Sequence, residues 1–103
     1  MFSVKAVMSL LAVSVLGAMA ETHTVRLVNN CGFGTPTLVK GSSVLSTGAE
    51  VTSSGPLINA IAYLQTGGCG TFNGAGCTVV ETTLRNPTST GNGSFTEISL
   101  ISP

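Results

Sequence analysis

Beyond an apolar N-terminal stretch, hydrophobic and polar residues alternate in short runs set between clusters of Gly, Ser, Thr, Asn and Pro. In Thr24-Val25-Arg26-Leu27-Val28, Val25 and Leu27 face inward while Thr24 and Arg26 face out, the period-two pattern of a half-buried strand, ended by Asn29-Asn30. The runs 37–40 and 43–45, joined by Gly41-Ser42, predict a hairpin. A further run covers 48–52, before the breaker Ser53-Ser54-Gly55-Pro56. The clearest strands are 78–84 and 95–101, with a polar loop from Asn86 to Gly93 between them. In the second of these, Ile98 and Leu100 share a face opposite Phe95, Glu97 and Ser99. The segment 57–65 is ambiguous, because Leu57, Ile61 and Leu64 fall on one helical face behind Pro56. Its nine residues between Gly55-Pro56 and Gly67-Gly68 also fit a buried strand, and the β character of every neighbouring run favours the strand. The pattern predicts an all-β single domain, an antiparallel β-sandwich or barrel, with no heptads and no internal repeat.

Residues 1–20 follow a different rule. Lys5 supplies a positive start, 6–16 form an apolar run, and Ala18-Met19-Ala20 places small residues where signal peptidase reads them. This is the grammar of a secretory signal peptide, and the run is too short for the roughly 20 apolar residues that span a bilayer. The expected mature chain begins at Glu21, lies outside the cell and has no membrane association after cleavage. Four Lys or Arg against four Glu, with no Asp, leave no basic surface to neutralise phosphates, which argues against nucleic-acid binding. The remaining 83 residues make a small domain whose core is marginal without a cross-link.

Export makes disulfides available. Cys69 and Cys77 flank a seven-residue loop with three glycines, which can fold back to bring the two Cα atoms to the roughly 5.5 Å that a bridge requires. Cys31 is then left over. An odd cysteine in a secreted chain implies an intermolecular bond, a free thiol, or a partner absent from the sequence. Because the sequence stops at Ser102-Pro103 straight after a strong strand, with nothing to cover that strand's edge, the third option is favoured and the domain reads as truncated.

Four collinear blocks carry a family resemblance. The stretch 24–33, which runs from a strand through Asn29-Asn30-Cys31 to Gly32-Phe33, resembles the opening strand of thaumatin-like proteins. Residues 62–69, ending in Gln65-Thr66-Gly67-Gly68-Cys69, are similar to the family's strand ending in Arg-Thr-x-Cys. Residues 79–84 (Val-Val-Glu-Thr-Thr-Leu) are similar to its Leu-Ala-Glu-Phe-Thr-Leu block, and 95–101 to its Tyr-Asp-Ile-Ser-Leu strand. The similarity is nearest to the short fungal secreted members, often described as glycopeptides, and covers roughly the N-terminal half of a full family domain. It implies a β-sandwich with an acidic cleft that binds, and in some members hydrolyses, β-1,3-glucan. It places Glu81 at the cleft glutamate, Glu97 at the aspartate of the Asp-Ile-Ser strand, and Gln65 where the family has a cleft arginine. It further implies that Cys31 pairs with a cysteine near the end of a longer chain. The family's Trp after the first cysteine is replaced here by Gly34-Thr35-Pro36.

The chemistry to look for follows from these residues. Two carboxylates can act on a glycosidic bond when about 5 Å apart for retention or 6.5–9.5 Å apart for inversion, with one held protonated. Two Glu on an outward strand face are otherwise ordinary solvated charges. Carboxylates also accept hydrogen bonds from sugar hydroxyls without any change in protonation. Stacking against a sugar requires an exposed aromatic, for which Tyr63, Phe33, Phe72 and Phe95 are the candidates. His23, third in the mature chain, could complete a square-planar nitrogen site for Cu(II) or Ni(II) with the free amino group and two amides; the plain alternative is a frayed terminal histidine. Asn92-Gly93-Ser94 is an N-glycosylation sequon, or simply an Asn-Gly turn. No triad and no phosphate loop is present, and no cofactor is expected. The expected function is non-catalytic binding of cell-wall β-glucan through Glu81, Glu97, Gln65 and Tyr63. The alternatives are a weak endo-β-1,3-glucanase using Glu81 and Glu97, and an effector-like extracellular interaction protein.

Overall fold

A computed structural model describes residues 21–100 of the chain. The expected signal segment and Ile101 lie outside the described residues. Those residues form seven strands and no helix: β1 (Thr22–Val25), β2 (Thr35–Lys40), β3 (Ser43–Ser46), β4 (Val51–Ser54), β5 (Leu57–Gln65), β6 (Thr78–Leu84) and β7 (Phe95–Leu100). All pairings are antiparallel. A five-stranded sheet has the order β3-β2-β5-β6-β7, and β1 pairs with β4 in a separate two-stranded sheet. The all-β antiparallel expectation holds.

The β2–β3 hairpin turns through Gly41-Ser42, with Lys40 opposite Ser43. Gly41 takes a φ of 61°, the left-handed setting that primed two-residue turns need. The first strand is displaced from its expected position. It pairs only over Thr22–Val25, because β4 begins at Val51 and offers no ladder partner beyond the Val25–Val51 pair. The alternation still continues, since Leu27 packs on the same core as Val25. Ser53 and Ser54 belong to β4, so the break falls at Gly55-Pro56 alone.

β5 occupies 57–65 as a strand, and its burial explains the earlier ambiguity. Leu57, Ala60 and Tyr63 are its buried residues, a spacing of three where a regular strand gives two. The first interval is a bulge: Leu57 opposes Leu84 and Ala60 opposes Thr82, so three steps on β5 match two on β6, whereas Ala60 and Tyr63 are buried on opposite faces. Asn59 absorbs the extra residue at a φ of 54°, and its backbone N–H donates to Thr83 Oγ1 at 3.0 Å.

Each face of the central sheet has its own core. On one, Leu38, Leu57 and Ala60 pack with Ala62 and Leu84 beneath Val25, Leu27 and Val51 of the β1–β4 layer. On the other, Val39, Tyr63 and Val79 pack under the loop closed by Cys69 and Cys77. The disulfide forms as expected, with the Cα atoms 5.5 Å apart. Gly74 lets this loop lie on the core: its φ is 66°, and a Cβ there would sit 2.5 Å from Val79 Cγ1 and 2.9 Å from Tyr63 Cδ1.

Two substitutions test this covering loop. The double variant Cys69→Ala/Cys77→Ala should lose about 2–3 kcal/mol, the loop-closure entropy of so short a ring, read as a lower urea midpoint. Gly74→Ala should cost about 1–3 kcal/mol in the same assay, from overpacking on Tyr63 together with its left-handed backbone.

Candidate acidic site

β6 and β7 place Glu81 and Glu97 directly opposite each other on one face of the five-stranded sheet. Alternation puts Thr83, Phe95 and Ser99 on that face and sends Thr82, Thr96, Ile98 and Leu100 to the other, where Thr82 and Thr96 hydroxyls meet at 2.7 Å. Glu81 is half-buried and accepts a hydrogen bond from Ser99 Oγ at 3.3 Å, while Glu97 is exposed. Like charges directly opposite across a ladder repel, so this pair is maintained against its own electrostatics. Around it lies a cavity of about 150 Å³ lined by Asn59, Ile61, Glu81, Thr83, Phe95 and Glu97 among others. The Phe95 ring is 54% exposed.

The other expected contributors stand elsewhere. Tyr63 is only 6% exposed, packs in the core under the disulfide loop and donates its hydroxyl to the Thr71 carbonyl. Gln65 caps the same loop: its Oε1 accepts from Gly67 N at 2.9 Å and Cys69 N at 3.1 Å, and its Nε2 donates to the Cys69 carbonyl at 3.1 Å. Both therefore build the loop and do not line the acidic cavity. Phe33 and Phe72 are exposed but do not line it either. Sequence reasoning did not single out Asn59, and Phe95 stood as one of four aromatic candidates until the sheet order made β7 an outer strand.

Cys31 is exposed and forms no disulfide among the described residues. Its N–H donates to Asn29 Oδ1 at 3.0 Å, and Asn29 Nδ2 donates to the Phe33 carbonyl at 2.9 Å, so the Cys31 loop is a side-chain-capped turn. Asn92 organises the β6–β7 loop: its Oδ1 accepts from Thr88 N and Ser89 N, its Nδ2 donates to Thr88 Oγ1 at 2.7 Å, and its carbonyl accepts from Arg85 Nε at 2.8 Å. His23 lies within β1, its backbone paired with Ser53 and its Nε2 donating to Glu21 Oε1 at 3.1 Å. Among the described residues no three His, Cys, Asp or Glu side chains converge as a metal centre would need.

No family model, curated protein or solved structure matches this chain.

One carboxylate has a shifted pKa. Glu21 is held below the usual glutamate range, first by the Asn86 backbone N–H, which donates to Oε1 at 2.7 Å, and then by His23. This contact ties the start of β1 to the loop after β6, and so one sheet to the other. A carboxyl with a lowered folded pKa contributes stability that is fully present above its ordinary pKa and lost as the pH falls through the folded value. The wild-type chain should therefore lose stability below about pH 4, and Glu21→Gln should show a shallower acid dependence with lower stability at neutral pH. Thermal unfolding of both chains across that range checks the sign.

Proposed function

We propose that the face bearing Glu81, Glu97, Asn59 and Phe95 binds carbohydrate, and that the chain is a secreted thaumatin-like protein holding cell-wall β-glucan without cleaving it. The observation that carries this reading is the half-exposed Phe95 ring in the same cavity as two carboxylates and a carboxamide. A sugar ring offers C–H groups on its faces and hydroxyls around its rim. An aromatic plane meets the first, and carboxylate and amide oxygens accept from the second. Hydroxyl donors between Glu81 and Glu97 also relieve the repulsion the pair carries when empty.

Binding is favoured over hydrolysis on geometry. Opposed residues on antiparallel strands have Cβ atoms about 5 Å apart, so the two carboxyl groups can approach the separation that a retaining pair uses. Yet acid and nucleophile must flank the scissile bond, and here both carboxylates rise side by side from one floor. The signal-like segment 1–20 and the Cys69–Cys77 bridge support export, with Asn92 as the proposed site of an N-glycan.

Retention on insoluble β-1,3-glucan, run beside a reducing-sugar assay, tests the reading. Wild-type protein should bind and release no sugar. Phe95→Ala, Glu81→Gln and Glu97→Gln should each weaken binding about 10-fold with stability changed by less than about 1 kcal/mol, since none is a core residue. Sugar release abolished by Glu81→Gln would establish the glucanase instead, and binding to neither glucan nor chitin would point to a protein partner.

A further inference from the structure

Every described residue with a positive φ is a glycine except one, and glycine reaches that region without steric cost. The exception is Asn59, which lines the acidic cavity with Glu81, Phe95 and Glu97. The bulge it occupies makes no use of its side chain. What anchors it is the backbone N–H donated to Thr83 Oγ1, and a glycine would supply the same group. Asn59 is exposed, and among the described residues its carboxamide has no hydrogen-bond partner. Asn29, Asn73 and Asn92, by contrast, spend their carboxamides on their own turns. Left-handed backbone at a residue other than glycine concentrates at ligand sites, where the side chain is wanted in spite of its cost.

We infer, building on the carbohydrate reading of this cavity, that Asn59 is its specificity-determining residue, kept in place of glycine so that its carboxamide selects a neutral sugar. Ionised Glu81 and Glu97 only accept hydrogen bonds, so they take hydroxyl protons and offer nothing to a ring or ether oxygen. The hydroxyls of Thr82, Thr83 and Ser99 are already engaged, with Thr96, the Asn59 N–H and Glu81. The Asn59 amide supplies what is missing. Its Nδ2 donates and its Oδ1 accepts, which matches two adjacent oxygens of a sugar ring, one accepting and one donating. A uronic acid would bring its own carboxylate against two like charges, and no Lys, Arg or His lines the cavity to offset them.

Calorimetric titration with a neutral β-1,3-gluco-oligosaccharide and with a uronic acid oligomer of equal length, beside thermal unfolding, tests this assignment. Wild-type protein should bind the neutral oligomer and discriminate against the acidic one. Asn59→Gly should unfold at the same or a higher temperature, because glycine removes the backbone cost, yet bind the neutral oligomer at least about 10-fold more weakly. Asn59→Asp keeps the shape and the tolerance for left-handed backbone but exchanges the donor for a third carboxylate, and should weaken binding at least as much. Unchanged binding by Asn59→Gly would overturn the assignment and leave the carbohydrate reading standing. An unfolding temperature lowered by Asn59→Gly would also overturn it, by showing that the side chain is kept for stability. Wild-type protein that binds neither oligomer would remove the carbohydrate reading and the role of Asn59 with it.

Discussion

The architecture turns on one residue in an unfavourable backbone conformation. Asn59 sits at a φ of 54°, a region that costs most side chains about 1–2 kcal/mol and that asparagine tolerates better than most. It is held there because its N–H is accepted by the buried Thr83 hydroxyl. The extra residue it accommodates turns Leu57 to the same face as Ala60 and Ala62, against the β1–β4 layer, while Ile61 and Tyr63 face the disulfide loop. Without the bulge Leu57 would point to the acidic face and leave the inter-sheet core without one of its three buried residues. Asn59 itself lines the cavity beside Glu81.

A sheet covered on both faces is a demanding design for so short a chain, since neither cover is large. The two-stranded layer contributes mainly Val25, Leu27 and Val51, and the other side is closed by a loop with little apolar surface. Polar and covalent ties supplement the packing. The disulfide and the Gln65 carboxamide fix the loop; Glu21 fixes the layer to the β6–β7 loop. Buried hydroxyls follow the same economy. Thr37 donates to the Thr35 carbonyl, and Ser46 donates to the Ala49 carbonyl while accepting from Gly48 N, so no buried side-chain polar atom among the described residues lacks a partner.

This division shows why some features were legible in the sequence and others were not. Alternation located β6 and β7 to within a residue, because each is regular and its two faces differ in polarity. That β6 and β7 are neighbours follows from their being sequential, but the register that opposes Glu81 to Glu97 comes from the ladder itself. The period of β5 left it ambiguous, since a bulge between Leu57 and Ala60 and burial on both faces beyond it mask the two-residue period, and only the β character of its neighbours favoured the strand. Gln65 was assigned to the acidic face by family position. Its distance from Cys69, four residues through Thr-Gly-Gly, suits a side chain that folds back to cap the loop, and that use leaves its amide unavailable to a ligand. Phe95 could not be chosen from four aromatics until the sheet order placed it on an uncovered strand. Local regularity is written in the sequence; which surfaces remain uncovered is a property of the assembled layers.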